Sequence, residues 1–128
     1  DADAVLVELG TNDASADDFR EPLRQTLDLL RGVPLVIWQT AKGPADDTSI
    51  PGVNAAIREV VPTYPNTAIA DWEAFVPPDA LGSDGVHPSE GFEHLESDLL
   101  LPIVTTWRAA ISRAGATNCV RDVVRETT

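Results

Sequence analysis

The sequence predicts a three-layer α/β fold built on a parallel sheet. Strand-like apolar runs near residues 3–9, 34–39 and 67–71 alternate with helix-like segments, and short loops join them. The length of 128 residues suits one domain and is enough to bury a core. In such sheets ligand sites lie beyond the carboxyl ends of the strands. That places residues 10–13, 40–49 and 71–87 on a common rim.

The first run, Val5-Leu6-Val7, ends at Gly10 as a buried parallel strand should. Glu8 interrupts it, and a carboxylate there must sit at the strand's end or find a partner. Ser15 offers a helix N-cap, with Asp17 and Asp18 in the first turn where the helix dipole favours negative charge. Phe19, Leu23, Leu27 and Leu30 recur at spacings of four, four and three, one apolar stripe. Arg31, Gly32 and Pro34 stop that helix. Leu35-Val36-Ile37-Trp38 is the second strand, and a polar loop follows it.

Pro51 can open the next helix, whose apolar face is Val53, Ala56, Ile57 and Val60; Pro62, Pro65 and Asn66 end it. The third strand, Thr67-Ala68-Ile69-Ala70, leads into Asp71-Trp72. After a Pro-, Asp- and Gly-rich loop, a last helix is expected from near Ser89 to about Ser112. Its stripe is Phe92, Leu95, Leu99, Ile103, Trp107 and Ala110, with a kink at Pro102. A short helix through Val120 and Val124 is expected in the tail.

Net charge is −12, from 21 acidic and 9 basic residues, a surface that repels phosphate backbones and anionic lipid heads. Nucleic-acid binding is therefore not expected. No apolar run approaches the roughly 18 residues of a membrane span, so membrane insertion by this segment is not expected either. Cys119 is the single cysteine, which rules out an internal disulfide.

Two motifs fall on the rim. Gly10-Thr11-Asn12-Asp13 directly follows a strand, and Asp84-Gly85-Val86-His87-Pro88 precedes the last helix. An aspartate three residues before a histidine can accept from the imidazole Nδ1–H, fix the tautomer and leave Nε2 as a general base. Read alone, it is equally a turn-forming aspartate beside an exposed loop histidine. Asn12 can donate its amide to a developing oxyanion, or simply make a turn at a strand end.

Taken together, G-x-N-D after a strand and D-x-x-H-P before the final helix resemble the third and fifth sequence blocks of the SGNH (GDSL-type) hydrolase family. The resemblance covers essentially residues 3–112. The Asp71-Trp72 segment, and Gly91 after the histidine motif, resemble the members associated with integral-membrane acyltransferases. The resemblance implies a flavodoxin-like sheet, of which this chain is the C-terminal part. It also implies a serine ester hydrolase mechanism that needs no metal or cofactor, on a small acyl-ester or acylated glycan substrate. In it His87 takes the serine proton, Asp84 orients His87, Asn12 donates to the oxyanion and Gly10 permits the turn that aims Asn12. It further favours an extracytoplasmic or secreted location.

One departure stands out. The family's G-D-S nucleophile block is absent, and none of Ser15, Ser49, Ser83, Ser89, Ser97 and Ser112 replaces it. Ser15 and Ser89 read as helix caps, and Gly82-Ser83-Asp84 reverses the expected order. The chain also starts at Asp1 and contains no methionine. The expectation is a partial domain whose nucleophile lies upstream on two further strand–helix units, roughly 60 residues. The missing N-terminal half is then a partner, and this chain alone is inactive.

Other readings stay open. A metal site from Asp84, His87 and His94 would need ligands seven helical residues apart, about 10 Å. A nucleotide-binding domain would share the architecture but lacks a Gly-rich phosphate loop. A non-catalytic sugar- or acyl-binding module on the same scaffold is the competing class.

Overall fold

The computed structural model describes residues 2–13 and 15–126, with side chains as far as residue 114. Three parallel strands form the sheet in the order β1 (Ala4–Val7), β2 (Leu35–Gln39), β3 (Thr67–Ala70). Leu6 stands opposite Ile37, and Trp38 opposite Ile69. The helices are α1 (Ala16–Leu29), α2 (Ile50–Val60), α3 (Trp72–Phe75) and α4 (His94–Glu126).

Strand alternation divides the sheet into two faces. On one, Val7, Val36 and Trp38 meet Phe19, Leu23 and Leu27 of α1 and Val53, Ala56 and Ile57 of α2. Phe19 sets its ring edge-on to Trp38, centroids 6.1 Å apart. On the other face Leu35, Ile37 and Ala70 meet Leu99, Leu100, Ile103, Val104 and Trp107 of α4. The result is the expected three-layer α/β arrangement.

Local chemistry explains the boundaries. Ser15 caps α1, its Oγ accepting from Asp18 N at 3.1 Å. Beyond the other end of α1 the Asn66 amide donates to the carbonyls of Leu30 and Val33 at 3.0 and 2.8 Å and ties the start of β3 to the turn after the helix. Pro51 occupies the first turn of α2.

The last helix differs from expectation. It begins at His94, not near Ser89, because Gly91 adopts φ +91° and breaks the helical path. Ser89 caps nothing; its backbone N–H and its Oγ both donate to the Ala80 carbonyl, at 2.9 and 3.0 Å. Phe92 and Ala110 of the expected stripe are exposed. The backbone of α4 continues through Pro102 and past Ser112 to Glu126. Cys119, Val120 and Val124 lie outside the residues whose side chains are described.

The two faces are unequally covered. No described side chain of α4 is fully buried, and Leu6, on the α4 face of β1, is 39% exposed. β1 is an edge strand, paired only with β2 among the described residues. No helix in that range is long and apolar enough to cross a membrane.

Candidate active site

Each strand's carboxyl end delivers part of the site. Beyond β1 the chain turns sharply at Gly10, where φ is +122°. A Cβ there would lie 2.7 Å from Val53 Cγ1 and 3.2 Å from Phe19 Cζ, so both conformation and space require glycine. The Asp13 N–H donates to the Gly10 carbonyl at 3.3 Å and closes a turn with Asn12 exposed at its tip.

The second motif is a closed loop. Leu81 and Pro88 form an antiparallel bridge, and the Gly82 N–H donates to the His87 carbonyl at 2.8 Å. Gly85, at φ +68°, packs so tightly that a Cβ would sit 2.9 Å from Pro44 Cα. Inside this loop the Asp84 carboxylate gathers three donors. Oδ1 accepts from the Val86 and His87 N–H groups at 2.9 and 3.1 Å, and Oδ2 lies 2.8 Å from His87 Nδ1. The carboxylate therefore holds the proton on Nδ1 and leaves Nε2 as the free ring nitrogen.

The hydrogen bond from His87, followed by those from the backbone, lowers the Asp84 pKa to about 2. A depressed carboxylate stabilises the fold above its unfolded value, and that contribution is lost as pH falls through about 2. In a carbon-detected NMR titration Asp84 should inflect near pH 2 and move back toward the usual carboxylate value in His87→Ala. An inflection near 4 in the unmodified protein would mean the contact does not form in solution. Any acid limb of an activity profile above about pH 4 belongs to a group other than Asp84.

Asn12, Asp84 and His87 come together despite their separation in sequence. They line one open cleft of about 650 Å³, with Gly10, Phe19 and Trp38 among its walls. Three of the six serine hydroxyls have partners: Ser15 Oγ donates to Asp18, Ser49 Oγ to Asp47 and Ser89 Oγ to the Ala80 carbonyl, while Ser97 and Ser112 lie in α4 and Ser83 is exposed in the loop just before Asp84. His94 opens α4, its Nδ1 3.1 Å from the Gly91 carbonyl. Among the described residues no group of three His, Cys, Asp or Glu is placed to hold a metal ion.

Asn54 and Arg58, both beside the site, were not singled out by sequence. Asn54 is fully buried, and its amide makes paired bonds with Ala41, accepting from its N–H at 2.7 Å and donating to its carbonyl at 2.8 Å. This ties α2 to the loop that follows β2. Asp71 accepts from Thr40 Oγ1 and Arg58, and Arg58 also reaches Glu73, so the ends of β2 and β3 are tied to α2.

A second, smaller cavity of about 210 Å³ shares His87 with the cleft and is bounded by Glu8, Gln39, Trp72 and Glu96. Burial and the neighbouring Glu96 push the Glu8 carboxyl above its usual value, against the lowering effect of Gln39. The awkward placing of Glu8 in an apolar run was the one visible sign of this cavity.

No family model matches the chain, and no curated protein sequence matches it. A solved structure does: a carbohydrate esterase family 3 protein from Talaromyces cellulolyticus, at 27% identity and a TM-score of 0.71. The match covers 84% of this chain and 59% of that one, so the chain spans little more than half of the length of its structural neighbour. That neighbour has the SGNH/GDSL hydrolase fold, and the three-stranded sheet with its flanking helices is the corresponding α/β arrangement here.

Proposed function

We propose that the protein is a serine ester hydrolase of the SGNH type, in which His87 is the general base, Asp84 its orienting carboxylate and Asn12 an oxyanion donor. The observation that carries this is the 2.8 Å contact from Asp84 to His87 Nδ1, in a cleft that Asn12 also lines. The esterase neighbour supports the same reaction class. A serine hydroxyl attacks the ester carbonyl as its proton passes to Nε2, and the imidazolium so formed is stabilised by Asp84. The negative charge that develops on the carbonyl oxygen is met by the Asn12 amide. The ester C–O bond then breaks, His87 returns the proton to the departing alkoxide, and water, giving its proton to Nε2, attacks the acyl-enzyme and releases the acid and the serine. Small acyl groups, such as acetyl on a glycan, are the proposed cargo.

In this proposal the nucleophile comes from a segment upstream of residue 1, on a strand that pairs along the free edge of β1. Supporting it, β1 exposes Leu6 at 39% and is followed by Leu9 at 56%. An unpaired edge with apolar side chains is a template for association. In sedimentation velocity the 128-residue chain should self-associate, and it should form a one-to-one complex with the upstream segment. A stable monomer that ignores that segment would count against the edge as its seat.

The direct test of activity uses the full-length reading frame that contains these residues. It should hydrolyse a short-chain nitrophenyl ester and be labelled by a serine-directed phosphonate at an upstream serine, while the 128-residue chain does neither. Labelling of the 128-residue chain would show that the nucleophile is one of its own serines. The absence of a G-D-S block from these residues favours a second reading, a non-catalytic sugar- or acyl-binding module. Ligand binding without turnover in the full-length protein would establish it.

A further inference from the structure

We propose that Pro44, in the loop after β2, is a positioning residue for His87, and that the packing of Gly85 against it holds the Asp84–His87 loop in place relative to Asn12. The inference rests on the ester hydrolase reading and gives a residue outside both motifs a part in that reaction. Its starting point is the closeness of two backbones. Gly85 has φ +68°, and a Cβ on it would stand 2.9 Å from Pro44 Cα, 3.0 Å from Pro44 N and 3.4 Å from the Gly43 carbonyl carbon. All three are main-chain atoms, so no side chain can rotate aside to make room.

The histidine loop is a unit whose bonds run within it. The Gly82 N–H donates to the His87 carbonyl at 2.8 Å and the Gly85 N–H to the Gly82 carbonyl at 3.0 Å. Asp84 accepts from the Val86 and His87 N–H groups and from the imidazole. The base of the loop is fixed where Leu81 pairs with Pro88 and packs on Trp72, Val76 and Ala80. Bonds internal to a loop set its shape and not its place. At Gly85 the tip meets another element.

Pro44 is a firm seat because the loop that carries it is tied to α2. Ala41 is held by both bonds of the buried Asn54 amide, and Gly43 lies so near the helix that a Cβ would meet Ile50 Cγ1 at 3.0 Å. Lys42 Nζ donates to the Glu73 carbonyl at 3.0 Å, and the Asp47 N–H donates to the Pro44 carbonyl at 3.0 Å. The proline ring fixes φ at the contact itself. The same helix serves the other motif, since Gly10, whose turn carries Asn12, packs against Val53 of α2. Thus α2 is the common reference for both halves of the site, reaching Asn12 through Gly10 and His87 through Pro44 and Gly85.

The test uses the full-length reading frame, a short-chain nitrophenyl ester and the variants Gly85→Ala, Pro44→Gly and the two combined. A Cβ at residue 85 must part the backbones by roughly 0.5–1 Å to reach ordinary carbon–carbon contact. Gly85→Ala should therefore lower kcat about 10- to 100-fold with little change in KM, since a misplacement of about 1 Å costs on the order of 10²-fold. The Asp84 carboxyl should still inflect near pH 2, because its partners travel with it. Pro44→Gly alters an exposed residue and serves if Gly85→Ala folds poorly; it should lower kcat about tenfold with the same inflection. With the seat free to yield, adding Gly85→Ala should cost less than it does alone, by about threefold or more. A crystal structure of Gly85→Ala should show residues 81–88 displaced from residues 43–44 with the Asp84–His87 contact kept.

Additive losses in the double variant would place the effect in the left-handed backbone of Gly85 itself and overturn the role of Pro44 while leaving ester hydrolysis standing. An unchanged kcat in Pro44→Gly, an Asp84 inflection that moves with the loss, or a loop that keeps its place in the Gly85→Ala crystal would do the same. A displaced loop with its Asp84–His87 contact intact, in a protein that cleaves no ester, would keep the packing role and overturn the hydrolase reading.

Discussion

Replacing His87 with alanine should lower kcat for a nitrophenyl ester by about 10²- to 10⁴-fold in the full-length protein, the usual worth of a positioned acid–base group. Asn12→Ala should lower it by about 100- to 1,000-fold with little change in KM, because an oxyanion donor acts on charge that exists only in the transition state. Both side chains are exposed, so neither change removes core packing. Thermal unfolding measured beside the kinetics should therefore shift little. If Asn12→Ala instead raises KM and leaves kcat intact, Asn12 binds the ground state and its oxyanion role is wrong.

Asn54→Leu should destabilise the fold by about 2–6 kcal/mol. The leucine fills similar space but leaves the buried N–H and C=O of Ala41 without partners, each costing roughly 1–3 kcal/mol. Both bonds are short and buried, at 2.7 and 2.8 Å, so water does not readily replace the amide. Urea unfolding of the full-length protein measures the loss as a lower midpoint at constant slope. Ala41 borders the small cavity that His87 also lines, so activity on a nitrophenyl ester should fall with stability. A change below 0.5 kcal/mol would mean that the loop after β2 is pinned by other contacts, such as those around Asp71.

Much of the fold was legible because its signals are local. The spacing of Phe19, Leu23 and Leu27, the cap at Ser15 and Pro51 at the start of α2 each act within a few residues, and each is found as read. The last helix was misjudged for a local reason too: Ser89 looks like a cap, but the positive φ of Gly91 ends any helical path before His94.

The sequence by itself determined the strand–helix alternation, the glycine turn that carries Asn12, and the Asp84–His87 pair, whose three-residue spacing makes the contact a property of one loop. Only the tertiary structure decided that Asn12 shares a cleft with that pair, because 75 residues and two strand crossovers separate Asn12 from His87. It alone showed that Asn54 braces Ala41, that Gln39 is buried with an unpartnered oxygen, and that Glu8 and Glu96 face one cavity. Burial and partnership of a polar side chain depend on what packs over it from distant segments, and no local pattern encodes that.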